Sequence, residues 1–115
     1  MDEIKIIEKP ITSDELREIA KERFGDMVKA VVDIEKKILA VGGELHADEE
    51  AILLDQGSKQ QDLWGINIYP DQARDSWLEF DSMINIRPSQ GNRSRSVEDE
   101  ITRKKIIGIV NSLIN

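Results

Sequence analysis

The sequence contains no cysteine, three prolines, one histidine and few aromatic residues among its 115 positions. The absence of cysteine excludes disulfide bonds, thiol catalysis and thiolate metal ligands, and it is typical of a cytoplasmic protein. No apolar run reaches the ~18 residues that a membrane helix requires, so no membrane association is expected. Residues 1–7 carry neither a basic segment nor a long apolar run, which predicts that there is no signal peptide.

Positive charge is also scarce, because 23 acidic residues stand against 16 basic ones and the formal net charge is −7. Such a balance disfavours nucleic acid as a partner, although it permits a local basic site. A chain of this length can bury a core without cross-links. Residues 1–115 are therefore expected to form a single domain.

Apolar periodicity and turn signals predict the order β-α-β-β-α-β-β-α. Thr12 and Glu15 have the spacing of a capping box, and Gly25 is a natural helix stop, so the first helix is expected between them. The predicted fold class is α+β, with a mixed, mainly antiparallel five-stranded sheet and three helices largely on one face. The other predicted elements are strands near 4–7, 28–34, 38–41, 63–69 and 78–86, a helix ending near 56 and a helix starting near 96.

The segment 78–86 is the longest predicted strand, because apolar and polar residues alternate along it. Its expected buried face holds Leu78, Phe80, Ser82, Ile84 and Ile86. Its other face contributes to a polar row of Asn67, Glu79, Asp81 and Asn85, with Arg87 at the end. Such a row can share a proton or a cation, but an ordinary solvated sheet face is the more common explanation.

A polar loop follows this strand and supports the first functional hypothesis. Arg87, Arg93 and Arg95 lie within nine residues, and Gly91 and Asn92 suit a tight turn before the last helix. Arginine side chains and backbone N–H groups at a helix start bind phosphate or carboxylate groups. These five residues are therefore predicted to bind a small anionic ligand. The competing explanation is internal pairing with Glu98, Asp99 and Glu100.

The single histidine, His46, supports a second hypothesis, in which a hydrolase uses His46 with Asp48 or Asp81 beside the same arginines. Glu44, His46 and Asp48 also alternate along the chain, but one histidine with carboxylates is a weak metal signature, so no metal is expected. A histidine that only packs at a helix entry is the commoner alternative. The helix that follows is expected to bury Ala47, Ala51 and Leu54. No P-loop or dinucleotide motif is present, and no cofactor is expected.

The last helix carries an apolar band that is wider than a surface helix needs. It is expected either to pack in a groove of the same chain or to face a second copy, which makes a homodimer the third hypothesis. The band consists of Ile106, Ile107, Ile109, Val110, Leu113 and Ile114.

Four segments are notable together: KERFGDMVKAVVD (Lys21–Asp33), GGELHADEE (Gly42–Glu50), DLWGINIYP (Asp62–Pro70) and FDSMINIRPSQGNRSR (Phe80–Arg95). They resemble segments of a family of small uncharacterised prokaryotic proteins, a domain of unknown function, and the similarity runs nearly end to end. The resemblance implies a self-standing intracellular domain. It supplies no activity, cofactor or catalytic residue.

Overall fold

The computed structural model describes residues 4–115, so the signal-peptide expectation falls partly on Met1–Glu3, outside the described residues. The α+β class and the predicted order of elements are confirmed. The strands are β1 (Lys5–Ile7), β2 (Val28–Asp33), β3 (Ile38–Val41), β4 (Leu63–Ile68) and β5 (Leu78–Glu79). The helices are α1 (Ser13–Lys21), α2 (His46–Asp55) and α3 (Glu100–Leu113). Within the described residues no helix is both long and apolar enough to cross a membrane.

The five strands form one sheet in the order β1-β3-β2-β4-β5, and all four neighbouring pairs are antiparallel. The hairpin between β2 and β3 is closed by Asp33, whose Oδ1 accepts the backbone N–H groups of Glu35 and Lys36 at 2.9 Å each. Lys37 completes the turn with a φ of 60°. The central position of β2 explains why its residues are apolar at nearly every position.

Helix α1 begins with the predicted capping box, since Thr12 Oγ1 accepts the N–H of Glu15 and the Glu15 carboxylate accepts the N–H of Thr12. Helices α1 and α3 cover one face of the sheet and share the main core with it. The apolar band of α3 packs mainly inside this core, although Ile107 stays 40% exposed. Pairing through α3 remains a prediction.

Helix α2 covers the opposite face, so two of the three helices lie on one face of the sheet and the third lies on the other. Leu53 packs there against a small second core. The predicted buried face of α2 is wrong: Leu54 is 39% exposed, while His46 and Glu49 are buried. This orientation places two ionisable groups between α2 and the sheet.

The predicted strand 78–86 ends after Glu79, and a 3₁₀ turn spans Met83–Asn85. At this point the side chain of Asn85, instead of the backbone of a neighbouring strand, makes the hydrogen bonds to Gly65 on β4. Its Oδ1 accepts the N–H of Gly65 at 2.8 Å and its Nδ2 donates to the carbonyl of Gly65 at 3.0 Å. Asn85 is buried and Ile86 is exposed, so the expected alternation fails there.

Helix α3 starts at Glu100, four residues after the predicted Ser96. Its cap is Asp99, whose Oδ2 accepts the N–H of Thr102 at 2.9 Å. Residues 96–98 do not enter the helix, because the side chain of Asn92 hydrogen-bonds to the backbone of Ser96 and Glu98.

Candidate functional site

A cavity of about 270 Å³ opens where the start of α2 crosses β4 and the segment after β5. It is named the His46 pocket here. Exposed apolar side chains, among them Leu45 and Met83, lie at its rim, and histidine, amide, hydroxyl and charged groups line its interior. The lining residues are Met27, Lys29, Leu45, His46, Ala47, Asn67, Tyr69, Glu79, Asp81, Ser82, Met83, Ile84 and Arg95.

A larger cleft of about 590 Å³ lies between β1 and α1. Its walls are isoleucines together with lysines and glutamates that are all exposed to solvent. Exposed charges are solvated already and gain little from a ligand. The smaller His46 pocket is the better candidate, because three of its polar residues, His46, Asn67 and Ser82, are buried.

Gly65 allows two residues of the His46 pocket, Ser82 and His46, to lie close to β4. A Cβ atom at this position would lie 2.6 Å from the Cβ and Oγ atoms of Ser82 and 3.2 Å from Cδ2 of His46. A side chain there would displace the serine, so glycine is what allows the serine and the imidazole to approach the strand so closely.

His46 is held in one tautomer. Its Nε2 lies 2.8 Å from the carbonyl oxygen of Ile66, and a carbonyl only accepts, so Nε2 carries the hydrogen and Nδ1 of the neutral ring holds the lone pair. Burial lowers the pKa of His46, and the ammonium group of Lys29 lowers it further. The carbonyl of Ile66 and the carboxylate of Asp81 act in the opposite direction. The neutral imidazole therefore offers a base at Nδ1.

Lys29, Asn67 and Glu79 form a row across three neighbouring strands. Lys29 of β2 lies opposite Asn67 of β4, which lies opposite Glu79 of β5. Asn67 Nδ2 donates to Glu79 Oε1 at 2.8 Å, and the Tyr69 hydroxyl donates to the same oxygen at 3.2 Å. The neighbouring carboxylate contributes, after burial, to raising the pKa of Tyr69.

Asn67 Oδ1 is buried and accepts no hydrogen bond from any described residue. The Asn67 side chain nevertheless lies near enough to the His46 imidazole to favour the protonated form of that ring. A buried amide oxygen without a donor costs free energy. A donor from a bound molecule would therefore be stabilising at this point.

Two cations face the pocket. Lys29 Nζ lies 5.5 Å from the centroid of the Phe24 ring, and no carboxylate of residues 4–115 forms an ion pair with it. Arg95 Nε donates to Asp81 Oδ1 at 2.6 Å, in an ion pair whose side chains are about half exposed. Of the three arginines predicted to bind an anion, Arg95 alone lines this pocket.

Arg87 is buried inside the protein, away from the pocket. Its guanidinium donates to the carbonyl oxygens of Leu63 and Ile84 and lies 4.7 Å from the centroid of the Trp64 ring. Glu50 Oε2 is 3.9 Å away. Burial lowers the pKa of Arg87, and Glu50 opposes that effect. These contacts tie the loop to β4, and the Arg87 side chain does not line the His46 pocket.

Asn92 organises the loop from within. Its Nδ2 donates to the carbonyls of residues 85, 94 and 96, and its Oδ1 accepts the N–H of Glu98 at 2.9 Å. The N–H groups of Arg93 and Ser94 donate to Glu98 Oε2 at 3.0 and 2.8 Å. Gly91 supplies the left-handed turn with a φ of 79°. The backbone N–H groups that were predicted to bind an anion thus bind the carboxylate of Glu98. The side chain of Arg93 is exposed.

The structure brings His46 together with Asp81 and not with Asp48, which is exposed on α2 outside the pocket. Glu44 is exposed and forms an ion pair with Arg23 at 3.7 Å. Over residues 4–115, no group of three or more histidine, cysteine, aspartate or glutamate side chains is placed to hold a metal ion.

Lys29 is a charged pocket residue that sequence reasoning missed. A signal for it exists, because Lys29 is the one charged residue within the apolar run Val28–Val32 of a central strand. The polar row was identified through Asn67, Glu79 and Asp81, but it was expected to face solvent. Asn67 is buried instead, whereas Glu79 is exposed and Asp81 is about half exposed.

Comparison with known proteins identifies a family but no characterised relative. No curated protein and no solved structure shows significant similarity to the chain. Residues 5–113 match the family described as "Protein of unknown function (DUF5674)". Because the match covers nearly the whole sequence, the chain belongs to the DUF5674 family.

Proposed function

We propose that the chain is a single binding domain that holds a small phosphate- or carboxylate-bearing ligand in the His46 pocket. The observation that carries the proposal is that Lys29 on β2 and Asn67 on β4 lie opposite each other, and each has a polar group that lacks a partner among the described residues. Lys29 has an ammonium group without an ion-pair partner among the described residues, and Asn67 has a buried oxygen without a donor.

The charges around the pocket favour an anionic group at Lys29. Lys29 is half-buried, so a phosphate or carboxylate bound at its side chain would meet less screening than on the open surface. Arg95 has two further guanidinium nitrogens that are not needed for its bond to Asp81. The anion site is therefore proposed in the His46 pocket, whereas the sequence predicted it in the loop. Arg95 is the loop arginine that contributes to it.

A thermal-shift screen against inorganic phosphate, sulfate, acetate and nucleotides tests this proposal. A ligand at 100 times its dissociation constant should stabilise the protein by about 2.7 kcal/mol, which raises Tm by several degrees. Lys29→Met should remove most of the shift and Arg95→Met part of it. Arg93→Met is the matched control, because Arg93 is a loop arginine outside the pocket, and it should leave the shift unchanged. Equal shifts in all three variants would contradict the proposed site.

A hydrolase is the second candidate, because the hydrogen bond from His46 to Ile66 leaves Nδ1 as a base beside Asp81. In such a reaction Nδ1 takes a proton from water while the water oxygen bonds to an acyl or phosphoryl centre. The leaving group departs with the electron pair of the broken bond, and the imidazolium returns the proton.

Release of p-nitrophenol from p-nitrophenyl acetate and p-nitrophenyl phosphate tests this candidate. His46→Gln should abolish turnover and Asp81→Asn should lower it. Asp48→Asn, which changes an exposed aspartate on the same helix, should have no effect. If His46→Gln still turns over either substrate, His46 is not the base for that reaction. If the wild-type protein shows no turnover, the hydrolase candidate is excluded for these substrates.

A further inference from the structure

We propose that the ligand is a small zwitterion, a molecule that carries an amine in addition to its phosphate or carboxylate. This inference rests on the proposed function and names the ligand class of the same pocket. It follows from the order of charges across the sheet and from the acceptor atoms that remain unused.

The row across β2, β4 and β5 is positive at one end and negative at the other. Lys29 lies opposite Asn67, and Asn67 lies opposite Glu79, with about 4.8 Å between neighbouring strands. The two charged residues are therefore about 10 Å apart at the backbone, with an uncharged acceptor between them. A ligand that spans this row meets a cation at one end and a carboxylate at the other.

Several acceptor atoms near the negative end are unused. Glu79 binds two donors through Oε1, and Asp81 binds Arg95 through Oδ1. The second oxygen of each carboxylate meets no donor among the described residues, and neither does Asn67 Oδ1. An ammonium group has three hydrogens and no acceptor, which suits such a set of oxygens.

The charge balance of the pocket favours a ligand with both a positive and a negative group over a ligand with only one of them. Lys29 and Arg95 are matched by Glu79 and Asp81, so the lining is formally neutral. A molecule with only a negative group would lie close to two carboxylates, and a molecule with only an amine would lie close to two cations. A zwitterion places each of its charges next to a group of opposite sign.

Isothermal titration calorimetry with matched ligand pairs tests the inference on the wild-type protein. The pairs are O-phosphoethanolamine with ethyl phosphate, and β-alanine with propionate, which differ only by the amine. The amine-bearing member of at least one pair should bind about tenfold more tightly or better, as expected for a charge-assisted hydrogen bond.

Variants then locate the amine site. Glu79→Gln keeps an oxygen for Asn67 and Tyr69 but removes the charge, so the preference for the amine should fall severalfold. Glu22→Gln, in the cleft beside β1, is the control and should keep the preference. Equal binding within both pairs would overturn the zwitterion and leave the anion site standing. Failure of all four compounds to bind would overturn the anion site as well.

Discussion

The substitution Glu49→Gln should change how the stability of the protein depends on pH. Glu49 lies on the buried face of α2 and is fully buried. Its Oε2 accepts the N–H of Gly43 at 2.8 Å, while its Oε1 has no partner among the described residues. Burial raises the pKa of Glu49 from 4.5 to about 9, against the opposing effect of the Gly43 N–H. The folded protein therefore holds this carboxyl group neutral at pH 7.

The sign and size of the effect follow from proton linkage. Because the folded-state pKa is higher than the unfolded-state value, the stability contributed by Glu49 is complete below pH 4.5 and is lost as the pH rises towards 9. One proton gives a slope of at most about 1.4 kcal/mol per pH unit. The free energy of unfolding should thus fall by about 3 kcal/mol between pH 5.5 and pH 8 relative to a variant without this carboxyl group.

Urea denaturation at a series of pH values measures this slope, with the fluorescence of the buried Trp64 and Trp77 as the probe. A glutamine can still accept the Gly43 N–H, so Glu49→Gln should remain folded, and its free energy of unfolding should lack the slope that wild type shows. Asp48→Asn, at an exposed position on the same turn, corrects for the general change in charge. A constant difference between wild type and Glu49→Gln from pH 5.5 to pH 8 would refute a neutral Glu49.

Three further predictions concern packing, the loop and the histidine. Gly65→Ala should destabilise the protein by about 2 kcal/mol in urea denaturation, because the added carbon overlaps the serine above it. Gly108→Ala, where a Cβ meets open space on a helix, should instead stabilise by about 0.5–1 kcal/mol. Arg87→Met should cost about 3 kcal/mol, because it leaves a half-buried glutamate without its cation, while the exposed Arg93→Met should stay within about 0.5 kcal/mol. An NMR titration should place the pKa of His46 below its ordinary value, with the hydrogen on Nε2; since the folded-state pKa is the lower one, His46 costs stability as the pH falls below about 6.5. A normal pKa or an Nδ1–H tautomer would contradict that geometry.

The fold could be predicted from the sequence wherever local signals and burial agree. The capping box at Thr12 and the apolar runs of β2 and β3 gave correct elements, because each pattern is satisfied by its own neighbours. The segment 78–86 failed for a tertiary reason. The side-chain amide of Asn85 makes the hydrogen bonds to the Gly65 backbone that a neighbouring strand would make. No pattern within the segment reveals this contact.

The candidate site was predicted only in part for a related reason. Arg95 and Asp81 were both identified, and they lie in the pocket as an ion pair. Arg87 and Arg93 have the same chemistry in the sequence, yet one is buried against Trp64 and the other is exposed. Residue type alone does not distinguish these three environments. The direction of the Arg87 side chain is set by contacts with β4 and α2, which lie far away in the sequence, whereas Arg95 is held by Asp81.

Two departures from ordinary packing favour the His46 pocket over the loop as the place to test. Helix α2 buries a histidine and a glutamate and leaves Leu54 exposed, although burying ionisable groups costs free energy. Gly65 gives up side-chain packing in a central strand so that His46 and its serine neighbour can approach. Natural sequences tend to break local rules of this kind at functional sites. The loop shows the opposite behaviour: Asn92 satisfies its backbone and Glu98 fills its anion cradle. A loop whose polar groups are already bonded to one another has less to gain from a ligand than a pocket where, over residues 4–115, Lys29 has no ion-pair partner and Asn67 Oδ1 has no hydrogen-bond donor.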